Sequence, residues 1–188
     1  MSETLHNAPP PDLLRGTAWV AKEYVFAYDI ITQPHWTDPV DKDDNARWVM
    51  QGVSDEFEGD GAFRDRGYTF VVAGHNFAGG GKSIEHVVTG LMGAGVRAVL
   101  ADSHSRLQFR NAINYGLPFV TCRGINEIVE TDDELEVDLA NGRVTNLRTG
   151  EGRDCAPVPP FVAEVAEAGG LVEYIKRVIA EGRVDELR

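Results

Sequence analysis

At 188 residues, 43% apolar and 26% charged, the chain has the size and composition of one globular domain, and its hydrophobic runs exclude disorder of the whole. Eighteen basic against thirty acidic residues leave a net charge of −12, which repels nucleic-acid phosphate and anionic lipid. No apolar run reaches the roughly 18 residues of a membrane span.

The first residues lack the basic and apolar regions of a signal peptide, so none is expected. Two cysteines, Cys122 and Cys155, make no disulfide framework. The expectation is a reducing cytoplasm, with Cys122 a small buried hydrophobe and Cys155 without a partner.

Residues 1–16, with Pro9-Pro10-Pro11, read as a flexible lead-in to one domain over 17–188. Thr17 to Phe26 is rich in β-branched and aromatic residues and predicts a strand. Asp29 to Pro39 reads as a loop, Asp43 to Gln51 as a short helix, and Gly52 to Gly67 as acidic and glycine-bearing. Tyr68 to Ala73 predicts a buried strand, and a glycine-rich turn follows. Ser83 to Met92 has helical spacing, ended by Gly93 and Gly95. Val96 to Ala101 is a second buried strand, Ser103 to Tyr115 a helix closed by Gly116, and Leu117 to Cys122 a third strand. This alternation marks parallel βαβαβ units, an α/β class. Glu134 to Leu139 and Arg143 to Leu147 flank Asn141-Gly142, a hairpin signal. Phe161 to Ala180 predicts helices interrupted at Gly169-Gly170.

The segment from Gly74 to His86 (GHNFAGGGKSIEH) carries the most chemistry. Glycines between a strand and a helix let backbone approach a ligand, and the helix start presents free N–H groups. Lys82 and Ser83 stand where turn meets helix, which suits a carboxylate or phosphate; Ser83 as a helix N-cap is the plainer alternative. From His75 to Ile125 there are five basic residues (Lys82, Arg97, Arg106, Arg110, Arg123) and two acidic ones (Glu85, Asp102), a net +3 within an acidic chain. Gly81-Lys82-Ser83 matches the end of a phosphate-binding P-loop, with Asp102 as a possible metal-holding partner, but the pattern needs glycine where Asn76 stands. His75, His86 and His104 lack metal-ligand spacing, so no metal is assigned.

The order of AGHNFAGGGKSIEH, GVRAVLADSHSRLQFRNAINYGLPFV, ELEVDLANGRVTNLRTGE and EAGGLVEYIKR resembles the small subunit of 3-isopropylmalate dehydratase, itself similar to the swivel domain of aconitase and homoaconitase. The likeness runs from about Thr17 to Arg177. It implies a swivelling β/β/α domain, with an added antiparallel hairpin and C-terminal helices. Such a domain closes over a large subunit whose [4Fe–4S] cluster binds a hydroxy dicarboxylic acid, this chain binding no cluster itself.

The family's loop usually ends Gly-Ser-Ser-Arg-Glu-His, the first serine acting as base and the arginine binding a carboxylate. Here Gly81-Lys82-Ser83-Ile84-Glu85-His86 stands in that place, one residue longer before it. Lys82 falls on the base serine and Ile84 on the arginine, so either Ser83 shifts into the base role with Lys82 as carboxylate anchor, or Lys82 is the base. Gly80, Gly81, His86 and Arg110 are the expected substrate contacts. Tyr28 to Trp36 replaces the family's substrate-choosing loop, keeping Ile30 and Ile31 with Thr32 and His35 as specificity residues. A non-catalytic relative that keeps the fold and binds a partner or small acid is the alternative.

The failed P-loop pattern at Asn76 predicts no nucleotide affinity. Calorimetric titration with Mg-ATP should give no binding isotherm; micromolar affinity lost in Lys82→Ala would restore the nucleotide reading.

Overall fold

The structure, a computed structural model, describes residues 13–21 and 24–187. The expected lead-in through residue 12 lies outside these. Seven strands form one mixed sheet: β1 (Leu13–Val20), β2 (Phe70–Ala73), β3 (Ala98–Ala101), β4 (Phe119–Thr121), β5 (Glu134–Asp138), β6 (Arg143–Asn146) and β7 (Gly152–Asp154). Their spatial order is β4-β3-β2-β1-β5-β6-β7. β1 to β4 run parallel, in register through Ala18, Phe70 and Ala98, and β5 to β7 add antiparallel to the other side of β1. Among the described residues there are six α-helices: α1 (Ala27–Ile30), α2 (Lys42–Trp48), α3 (Glu85–Gly93), α4 (Arg106–Tyr115), α5 (Pro160–Ala168) and α6 (Leu171–Ala180).

The parallel βαβαβ centre, the hairpin and the paired C-terminal helices thus stand as expected. The first strand differs. It opens at Leu13, inside the expected lead-in, and ends at Val20. Arg15 and Gly16 mask its alternation in the sequence, yet Leu14 is buried and Leu13 exposed, and residues 13–17 pair with β5.

The sheet curls. Alternation along each strand divides the core into two faces. One side gathers Leu14, Ala18, Phe70, Val72, Leu100 and Leu135 in the interior of the curl. The other gathers Trp19, Val71 and Val99 with Val87, Val88 and Leu91 of α3. Helix α3 packs on α2 through Gly93, where a Cβ would sit 2.5 Å from the Lys42 carbonyl oxygen. The curl brings the outer ends of the sheet together: Ala156 N–H donates to the Thr121 carbonyl at 2.8 Å. There Cys122 and Cys155 form a disulfide, with Cα atoms 4.2 Å apart. This corrects the expectation of unpaired cysteines. The partners are 33 residues apart in sequence and meet only because the sheet curls.

A buried carboxylate locks β5 to its neighbours. Asp133 is 3% exposed. It accepts from Asn146 Nδ2 at 2.6 Å, from Glu130 N–H at 2.9 Å and from the Arg148 guanidinium. The Arg148 hydrogen bond is the largest cause holding its carboxyl at about 2, below the ordinary 3.8. A carboxyl depressed in the folded state stabilises the fold above its unfolded value and ceases to do so as pH falls toward the folded value. The window is therefore about pH 4 down to about pH 2, and the contribution roughly 2 kcal/mol after screening at the half-exposed Arg148. Urea unfolding at pH 5 and pH 2 should show that loss in the parent chain and a flatter dependence in Asp133→Asn; equal dependences would exclude the network.

Candidate functional site

The carboxyl ends of β1, β2 and β3 lie on one edge of the sheet, and the three segments that leave them meet there. Such an edge is where open α/β sheets hold ligands. Residues 74–84, after β2, are zipped between the other two. Phe26 pairs with Gly79, and Ala27 N–H donates to the Gly79 carbonyl at 2.9 Å. Phe77 N–H donates to the Ser103 carbonyl and Ser105 N–H to the Phe77 carbonyl, each at 2.9 Å. Phe77 is buried against Phe119 and His104, and burial holds the His104 imidazole at about 4, hence neutral at pH 7. At Gly79 a Cβ would meet the Tyr24 hydroxyl, so a larger residue there would have to displace the exposed Tyr24 ring. Gly80 and Gly81 form the exposed tip in left-handed conformation, at φ +110° and +76°.

Lys82 and Ser83 are held from beneath by α4. Gln108, fully buried, donates from Nε2 to the Lys82 carbonyl at 3.2 Å. Its Oε1 accepts from Asn111 Nδ2 at 3.3 Å, and Asn111 Oδ1 accepts from the Ser83 hydroxyl at 3.1 Å. Ser83 is therefore not a helix cap: Ile84 occupies that position, and no side chain caps α3. The Ile84 side chain is buried, so position 84 offers nothing to a carboxylate. Burial, together with the hydrogen bond that its hydroxyl donates to Glu85 at 2.7 Å, pushes the Tyr115 phenol up to about 12. Lys82 is exposed, makes no ion pair among the described residues, and lies over the Tyr28 ring at 5.8 Å.

The remaining predicted residues are placed as follows. Ile30 and Ile31, expected in the specificity loop, have no exposed surface and fill the core. Thr32 is half-buried and its carbonyl accepts from His35 N–H at 3.0 Å; the His35 ring stacks on Trp48, centroids 4.2 Å apart. His86 is turned away from the glycine tip: its Nε2 bonds the Thr37 carbonyl at 2.8 Å and its ring stacks on Trp36, which stacks in turn on Tyr28. His86 thus secures the first loop against α3. Arg110 is exposed on α4, beside Asn111, without an ion pair among the described residues. Asp102 accepts from Gly124 N–H at 2.6 Å, so it holds the turn after β4 rather than a metal. Sequence reasoning missed Gln108, Asn111 and Tyr28. The signal was the pattern of α4, in which Leu107 and Phe109 face out while Gln108 and Asn111 face in.

A cavity of about 760 Å³ opens beside β1, but Asp29, Glu56 and Glu130 line it and disfavour an anion. The chain's residues do not fit an iron–sulfur cluster. Both cysteines are spent in one disulfide, and no group of three ligating side chains occurs among the described residues. Nor is any helix of the described residues long and apolar enough to cross a membrane.

Comparison with known proteins agrees with this architecture. Residues 37–122 match the model of the aconitase C-terminal domain family. The chain is 41% identical over 171 residues to the 3-isopropylmalate dehydratase small subunit 1 of Methanopyrus kandleri, covering 88% of this chain and 94% of the relative. It is 44% identical over 138 residues to the isopropylmalate/citramalate isomerase small subunit of Methanocaldococcus jannaschii, 73% of this chain and 79% of the relative. The crystal structure of a 3-isopropylmalate dehydratase from the latter organism superposes with a TM-score of 0.75 at 29% identity, over 91% of this chain and 98% of that one.

The amide pair makes a stability prediction. Asn111→Leu strands the buried Gln108 Oε1, while the exposed Ser83 hydroxyl turns to water, and an unmet buried polar group costs about 1–3 kcal/mol. Urea unfolding should read a loss in that range. An unchanged midpoint would mean that the hydrogen bonds do not form.

Proposed function

The chain belongs to the 3-isopropylmalate dehydratase small subunits, hydro-lyase components of the aconitase superfamily, and from that membership we propose that it completes a dehydratase site when a large subunit docks on its glycine-rich edge. The substrate is a hydroxy dicarboxylic acid, a substituted malate or its unsaturated counterpart. The relatives named for isopropylmalate and citramalate support that class. The [4Fe–4S] cluster belongs to the large subunit and supplies a Lewis-acid site for the substrate hydroxyl and carboxylate; the cysteine pairing here favours this division.

One observation carries the reading: a glycine-rich turn, held open at the carboxyl edge of a parallel sheet, presents the Lys82 side chain with no counter-ion among the described residues. Gly80 and Gly81 let a substrate approach the backbone, Lys82 stands at the rim, and Arg110 is the carboxylate anchor on α4 now that position 84 is apolar. Tyr28 and Trp36, stacked together, wall the site on the side of the first loop.

Assay of the chain alone should give no hydration or dehydration of isopropylmalate, citramalate or related malates. Mixing with a cluster-loaded large subunit should give turnover, and Arg110→Ala should raise KM with kcat nearly unchanged, as loss of a uniform binding contact does. Turnover by this chain alone, without iron, would refute the proposal. So would an assembled complex inert on every hydroxy dicarboxylate tried, which would mark a non-catalytic relative.

A further inference from the structure

The direction of the hydrogen bonds under the loop decides which of its two polar residues can handle a proton. A carbonyl only accepts, so at Lys82 it is Gln108 Nε2 that must donate. Gln108 Oε1 is then turned to Asn111, which must meet it with Nδ2. This leaves Asn111 Oδ1, an acceptor only, facing the Ser83 hydroxyl. A serine that ionises needs donors around its oxygen, or a base to take its proton. Ser83 is offered an amide oxygen, which is neither, and Asn111 cannot turn its amide over without opposing Gln108 Oε1. Among the described residues, nothing around Ser83 favours its ionised form.

We propose that Lys82 is the proton-abstracting base of this dehydratase, and that Gln108 and Asn111 are positioning residues that hold the Lys82 backbone and keep Ser83 neutral. The inference rests on the reading of the loop as part of a dehydratase site. In the dehydration direction the Lys82 amine takes the proton from the carbon beside a carboxylate. The N–H bond forms as C–H breaks, the C–H pair becomes the π bond, and the hydroxyl on the neighbouring carbon leaves with its bonding pair. That hydroxide and the proton on Lys82 together make the water released, so the amine is regenerated. A lysine serves as a base where water is kept from it, and a large subunit docked on this edge would cover Lys82. Tyr28 adds a selective contribution: its ring face attracts the ammonium formed by proton transfer more than the amine that precedes it.

The test uses the complex assembled with the cluster-loaded large subunit. Lys82 is exposed, so its replacement leaves the fold intact. Lys82→Ala should lower kcat by about 10²–10⁴-fold while calorimetry shows that substrate still binds, and added methylamine or ethylamine should restore part of the turnover. Lys82→Arg should be as inactive as the alanine variant, since a guanidinium anchors a carboxylate but cannot be a base. Solvent-deuterium incorporation into the substrate should vanish with Lys82→Ala. Ser83→Ala should lower kcat by about tenfold at most, the scale of one neutral hydrogen bond. An active Lys82→Arg variant, or a dead Ser83→Ala variant that binds substrate, overturns the assignment and leaves the dehydratase reading standing. If both Lys82→Ala and Ser83→Ala keep full turnover, the loop is not part of the site, and the underlying reading fails with it.

Discussion

A buried amide must find partners, and in this protein the Gln108 side chain finds them in the Lys82 carbonyl of the glycine-rich turn and in the Asn111 amide beside it on α4. Without α4 beneath it, that turn would be a length of glycine with a high entropic cost to order. With Gln108 and Asn111 fixed on a helix, the turn gains a defined conformation at Lys82 and Ser83. The cost of stranding either amide keeps the arrangement in place.

The rest of the fold serves the same edge. Four parallel strands bring three loop segments to one side, and the buried Phe77 pins the middle one to the end of β3. The curl of the sheet encloses a second core on its inner face, and the Cys122–Cys155 disulfide and the Asp133–Arg148 network tie that curl together away from the loop. The scaffold is thus stiff where α4 and the sheet support the turn, and open where Gly80 and Gly81 face outward. This matches what a half-site requires when a second protein must close it.

Much of the fold was legible in the sequence. The strand–helix alternation from Tyr68 to Cys122 and the Asn141-Gly142 hairpin reflect local periodicity and turn chemistry, which tertiary context did not override. What escaped depended on contacts across the fold. The cysteine pairing required the curl. The burial of the Ile30-Ile31 pair also escaped, since it sits in an apolar run whose direction no periodicity fixes. The α4 relay was half legible, since a helix with leucine and phenylalanine outward and amides inward breaks the usual pattern. Its meaning came only with the partners at Lys82 and Ser83.

On the function proposed above, the glycine-rich edge, braced by α4, is where a large subunit and a dicarboxylate would meet this chain. Hydrogen–deuterium exchange of the chain alone, with the large subunit, and with both large subunit and substrate tests it directly. The account predicts that the amides of residues 78–84 and the segment around Tyr28 gain protection on docking and gain more with substrate. Protection confined to α5 and α6, with the glycine-rich turn exchanging equally in all three states, would contradict it.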